Sequence, residues 1–197
     1  MKPRHLRQDF TFPKNYEIQV LDSYGLVNPL EQFYQYPAAL EEADRTGVYL
    51  RVMPEHGNAW IGFFSLGFDS DKVVSALYSC PAPDSFCVIA GGYGYVVKAD
   101  DPTQWMRVEQ RPVTDVRALP EQKLLLLAGF LTITALGPSG LLWTTGRLSW
   151  EGISISRIER QTLYGLGWDA FTDKEVPFEV DLASGKHIGG ARPRDIG

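Results

Sequence analysis

The chain has 197 residues, 44% of them hydrophobic and 22% charged, a balance that suits one substantial globular domain and excludes the low-hydropathy, high-charge regime of disorder. A net charge of −5 leaves no clustered basic field to displace counterions from phosphate, so neither nucleic acid nor an anionic membrane is expected as a partner. The longest apolar run, 124–131, is far shorter than the roughly 20 residues that span a bilayer.

The basic start Lys2-Pro3-Arg4 runs into Gln8-Asp9 and not into an apolar stretch, so no secretory leader is expected. Strands are expected over 11–12 and 16–21. Asn28-Pro29-Leu30-Glu31 then has the form of a helix start, with Asn as cap, Pro at the first helical position and Glu able to reach back. This predicts a helix to about Tyr36, and a second helical stretch over 38–43 that stops at Gly47.

From Gly47 the pattern becomes β-like. The runs 48–52 and 59–64 flank the turn 54–58 and read as a hairpin. Further strands are expected over 73–78, 86–90, 94–98 and 105–109; then 113–118, 124–128, 131–136 and 141–145; then 153–158, 163–166, 178–182 and 187–188. Each break carries Gly, Pro, Asp or Ser, the usual turn formers. Residues 170–177 read as an insertion that delays the last hairpin.

Gly91, Gly129 and Gly167 fall at steps of 38 residues, as do Trp105 and Trp143. A fixed period of this size signals a supersecondary unit that buries its apolar face against its neighbours. The expected fold is all-β, with antiparallel four-stranded units of 38 residues forming a small or partial β-propeller-like domain over 37–190. Residues 1–36 form an N-terminal strand and helix extension, and 191–197 a tail. A β-sandwich or open barrel made from the same hairpins is the alternative. Phe10, Phe12, Tyr16, Phe33, Tyr34 and Tyr36 are expected to brace the outside of the units.

The stretch Val97-Lys98-Ala99-Asp100-Asp101-Pro102-Thr103-Gln104-Trp105 resembles the Asp-box hairpin of sialidase-type propellers, and Gly91-Gly92 resembles the glycine pair of kelch blades. The resemblance implies that Asp100 or Asp101 accepts turn amides while Trp105 packs between units, with Trp143 in the same place one unit on. It lacks the small hydroxyl residue at the head of the box and implies no particular activity.

Catalytic motifs are absent by pattern. Gly91-Gly92-Tyr93-Gly94 leads into a strand where a phosphate loop needs a helix N-terminus. His5, His56 and His187 share no ligand spacing, so no metal and no cofactor is expected. No nucleophile elbow occurs. Cys80 and Cys87 are too few for a disulfide framework and read as buried thiols of a cytoplasmic protein.

What remains is the set of loop acids, of which Asp100, Asp101, Asp169 and Asp173 are the candidate partner-binding residues. The expected function is a scaffold that binds another, basic protein. The alternative is a small enzyme or binding protein that turns loop carboxylates on a carbohydrate or other polar ligand. A third option is a piece of a larger assembly.

Overall fold

The computed structural model describes residues 6–22, 31–37, 46–68, 70 and 73–192, and these hold strands and turns with no helix. The short strand β1 (Arg7–Asp9) is followed by β2 (Tyr16–Leu21), β3 (Gln32–Tyr36), β4 (Gly47–Pro54) and β5 (Trp60–Ser65). The last four make the first sheet, in the order β2-β4-β5-β3, with β3 parallel to β5 and the other pairs antiparallel.

The remaining strands run as three meanders. The second sheet contains β6 (Ala76–Ser79), β7 (Ser85–Ala90), β8 (Tyr93–Lys98) and β9 (Trp105–Arg107), with β1 added in parallel beside β6. The third contains β10 (Asp115–Leu119), β11 (Leu124–Ala128), β12 (Ile133–Gly137) and β13 (Gly140–Thr144). The fourth contains β14 (Ile153–Glu159), β15 (Thr162–Asp169), β16 (Lys174–Asp181) and β17 (His187–Gly189).

Burial explains the composition of these strands. In β7 and β11 every residue is buried, because both faces of the second and third sheets meet another sheet; such strands read as continuous apolar runs. In β16 exposed and buried residues alternate toward its end, as a strand with one solvated face should. Three apolar clusters hold the stack together. Tyr16, Tyr36, Leu50, Trp60 and Phe64 of the first sheet pack on Leu77, Phe86, Val88 and Tyr95 of the second. Tyr78, Cys87 and Ile89 pack on Val116, Leu125 and Leu127 of the third. Leu126, Ile133 and Trp143 pack on Leu163, Phe178 and Val180 of the fourth. Among the described residues no cluster joins the fourth sheet back to the first.

Two tryptophans pin neighbouring sheets by the same device. The Trp60 indole donates to the Ala99 carbonyl at 2.7 Å, and the Trp143 indole donates to the Leu182 carbonyl at 3.0 Å; each pair is 39 residues apart in sequence. Each acceptor directly follows the third strand of its meander. Gly185 lies over the Trp143 ring with φ of +70°, and a Cβ there would stand 2.7 Å from Cδ2, so the close approach and the left-handed backbone both require glycine.

Several expectations are corrected. Residues 32–36 are strand β3 and not helix: Tyr34 and Tyr36 turn to the core between the first two sheets, and pairing with the distant β5 overrides the local cap signal. The expected helical residues 28–30 and 38–43 lie outside the described residues. The aromatics of the N-terminal region are not an outer brace, because Tyr16 and Tyr36 belong to the first core cluster and Phe12 to the second. Residues 170–177 are no insertion, since β15 and β16 simply extend to eight residues each.

The 38-residue beat also misses the packing. Gly91 and Gly129 follow the second strands of their sheets, whereas Gly167 lies inside β15. Residues that face back toward the preceding sheet are Leu77 and Val116, Phe86 and Leu125, and Val97 and Leu136, each pair 39 apart. Side chains alternate faces with period two, so a slip of one residue reverses every contact. Trp105 accordingly packs on Tyr36 of the first sheet, at 5.4 Å between ring centres, while Trp143 faces forward to the fourth.

Trp143→Ala should destabilise the protein by about 3 to 5 kcal/mol in urea unfolding, through lost burial and the cavity left. Trp143→Phe, which keeps most of the packing and orphans the Leu182 carbonyl, should cost about 1 to 3 kcal/mol. A loss below about 1 kcal/mol for the alanine variant would contradict the pinning role.

Candidate functional site

Strand direction sorts the turns to two ends of the stack. At one end lie the turns β7–β8, β11–β12 and β15–β16, together with the segments that pass from one sheet to the next. These are laced by backbone bonds: Phe68 N donates to Gly91 O at 2.8 Å, Val113 N to Gly92 O at 2.8 Å, Gly152 N to Phe130 O at 3.0 Å, and Trp150 N to Trp168 O at 2.9 Å. At the other end lie β6–β7, β8–β9, β10–β11, β12–β13, β14–β15 and β16–β17.

The first end carries exposed aromatic residues. Phe68, Phe130 and Phe171 are 45%, 45% and 58% exposed, and Leu131 is exposed beside them. Phe68 meets Tyr93 edge to face at 5.7 Å, and Trp150 meets Phe171 edge to face at 6.0 Å. Arg147 stacks 3.9 Å over Trp150, and Arg111 lies 5.6 Å from the Tyr93 ring centre. Such cation–π contacts tie down a guanidinium that would otherwise move freely in water.

Along the β14 edge of the fourth sheet, beside the Phe130 turn of the third, this end opens into a groove of about 570 Å³. Phe130 and Thr114 line it from the third sheet; Glu151, Ser154, Trp168 and Glu175 line it from the fourth. Trp168 and Glu175 are directly opposed across β15 and β16, which places their side chains together on one face, the one opposite to Leu163, Phe178 and Val180 that pack on the third sheet. The lining holds two carboxylates and no cationic side chain. Neither Glu151 nor Glu175 has an ion-pair partner among the described residues.

The acids singled out from sequence are not brought together. Asp100 and Asp101 lie in the β8–β9 turn, at the opposite end from Asp169, the last residue of β15, and Asp173 in the β15–β16 turn. Asp101 accepts from the Thr103 hydroxyl at 2.5 Å, the Gln104 side-chain amide at 2.7 Å and the Thr103 backbone amide at 3.2 Å, the turn-closing role the Asp-box resemblance implies. Asp100 is exposed. Asp169 is buried, accepting from the Thr172 hydroxyl at 2.9 Å and the Arg192 amide at 3.3 Å, and so ties residue 192 to the fourth sheet. Asp173 is exposed at a turn position with φ of +57°.

A smaller hollow of about 220 Å³ at the Asp101 end is lined by Cys80, Asp84, Lys98 and Ser139, among others. The Asp84–Lys98 ion pair at 3.2 Å occupies it. Cys80 and Cys87 are free and buried; burial pushes the Cys87 thiol up to about 12 and Cys80 well above its ordinary value, so neither is a nucleophile at neutral pH. Among the described residues no group of three or more His, Cys, Asp or Glu could hold a metal ion, and no helix is long and apolar enough to cross a membrane.

Phe130, Trp150, Phe171, Glu151, Trp168 and Glu175 were not among the acids that sequence picked out. The available signal was the presence of large aromatics inside turn segments, where Gly, Asn, Asp and Pro are the ordinary occupants.

The turn acids should mark the acid limb of stability. The Thr103 hydroxyl, then the Gln104 amide, hold the Asp101 carboxyl below its ordinary range. Burial works against the charge of Asp169, but the Thr172 hydroxyl and the Arg192 and Phe171 amides outweigh it and also lower its value. A carboxylate depressed in the folded state contributes stability above its unfolded pKa of about 4 and loses it as pH falls through the folded value. The urea midpoint should therefore fall below about pH 4, and Asp101→Asn and Asp169→Asn should each flatten that fall. An unchanged acid limb in both variants would refute the assignment.

No family model matches the chain, and no curated protein matches it. Among solved structures it is similar to one described as the crystal structure of the N-terminal domain of Nup159, at 12% identity and a TM-score of 0.35. The match covers 97% of this chain and 55% of that one, so the chain spans about half the length of the structure it resembles.

Proposed function

We propose that this chain is a scaffold that binds another protein, and that its four sheets form an open arc of the propeller type. The arc reading is supported by the serial packing of meander sheets, first on second, second on third, third on fourth, the arrangement from which propellers are built. The single observation that carries the binding reading is the collection of Phe68, Phe130, Leu131, Trp150 and Phe171 on the turns of one end. Exposed large apolar side chains gathered at one end of a fold mark partner surfaces, and rigid aromatic side chains are the residues that dominate interface energy.

The partner is basic where it meets this face. Glu151, Glu175 and Asp173 lie on it or beside it, while Arg147 and Arg111 are held against rings. With a net charge of −5, the chain would draw a basic partner by long-range attraction that fades as salt rises. The cytoplasm is the proposed compartment, in keeping with two buried free thiols.

The double variant Phe130→Ala with Phe171→Ala removes two exposed rings and should change folding stability by no more than about 1 kcal/mol. It should abolish recovery of the partner that co-purifies stoichiometrically with the tagged wild-type chain from its native cells. The charge reversals Asp100→Lys with Asp101→Lys at one end and Asp173→Lys at the other report which end the acids serve; only the latter should weaken recovery. Full recovery by the double aromatic variant would overturn the reading.

A further inference from the structure

We infer that the groove along the β14 edge of the fourth sheet receives an arginine side chain from an extended segment of the partner. This rests on the scaffold reading and specifies the contact at its centre. The groove offers a half-buried indole, Trp168, with the Glu175 carboxylate opposed to it on the neighbouring strand. Glu151 stands on the same lining, Phe130 supplies an apolar wall from the third sheet, and Thr114 and Ser154 add hydroxyls.

A ring face beside two carboxylates selects a planar cation. Guanidinium stacks on an indole through its π-system while its N–H fork donates to carboxylate oxygens in the plane, which a compact ammonium cannot do in both directions at once. The fold itself supplies two examples of the stacking half of that geometry, Arg147 over Trp150 and Arg157 over Tyr164, both at 3.9 Å. Among the described residues the groove has the ring and the acids and no cationic lining, a charge pattern complementary to a guanidinium of the partner.

The extended form of the segment follows from position. At about 570 Å³ the groove accommodates one long side chain with its flanking backbone. It opens onto the face where Phe130, Trp150 and Phe171 stand ready to contact neighbouring residues of the segment.

The test is a ¹⁵N NMR titration of the full chain with a blocked seven-residue peptide carrying one central arginine between Gly and Ser residues, and with its citrulline counterpart, which keeps the shape and loses the charge. The arginine peptide should shift the amides of Gly152, Ser154, Trp168 and Glu175 at millimolar concentration, and the citrulline peptide should not. Glu151→Gln with Glu175→Gln should weaken binding by about three- to tenfold, and added salt should weaken wild-type binding in parallel. Absence of shifts, equal shifts with citrulline, or shifts confined to residues outside the groove would each overturn the inference. If those results come while Phe130→Ala with Phe171→Ala still abolishes partner recovery, the scaffold reading stands and the arginine contact alone falls.

Discussion

Burial of the second and third sheets on both faces is the constraint from which the rest of the structure follows. A strand such as β11, Leu-Leu-Leu-Leu-Ala with every residue buried, gains about 1.5 to 3 kcal/mol for each large side chain taken from water. It can do so only if a sheet lies on either side. The third sheet therefore needs the fourth, and the second needs a first, which the chain assembles from β2, β3, β4 and β5. The N-terminal strands belong to the core because Phe86, Val88 and Tyr95 must be covered.

Packing of this kind leaves polar groups to be satisfied at the seams, and the indoles of Trp60 and Trp143 do this while filling space. Each buries a large apolar surface and spends its one donor on a carbonyl at the end of a third strand. Tyr16 and Tyr36 act similarly, donating to the Ser85 and Pro102 carbonyls at 2.9 and 2.7 Å. The seam between the first two sheets is thus held by aromatic residues with polar tips, which set its spacing as well as its strength.

With the interior committed to holding sheets together, the two ends of the stack are free for other work, and they differ chemically. At one end acids close turns: Asp101 on Thr103 and Gln104, Asp181 on Ser184, Asp84 on Ser85 and Lys98. At the other end Asp169 closes its turn on Thr172, and beside it stand rings on turns with two glutamates that have no ion-pair partner among the described residues. An acid that accepts hydrogen bonds from its own turn is already paired, so it has little left to offer a partner. Glu151 and Glu175, without an ion pair among the described residues, keep that capacity, and their neighbours are flat apolar surfaces that gain from being covered.

Local chemistry determined most strands and hairpins of residues 73–192, because short apolar runs and Gly, Pro, Asp and Ser turns are readable within a few residues; the first half of β16, which read as an insertion, was the exception. The turn role of Asp101 and the inter-sheet role of Trp143 were legible for the same reason. Strand β3 was not, since its partner β5 lies far along the chain and only tertiary pairing outweighs a helix-cap pattern. Nor was the 39-residue packing period, which differs from the 38-residue beat of the glycines by the one residue that reverses a face. The groove was beyond reach as well: Phe130, Glu151 and Glu175 sit in separate segments, and only the docking of the Phe130 turn on the β14 edge, with Gly152 N donating to Phe130 O, makes them neighbours.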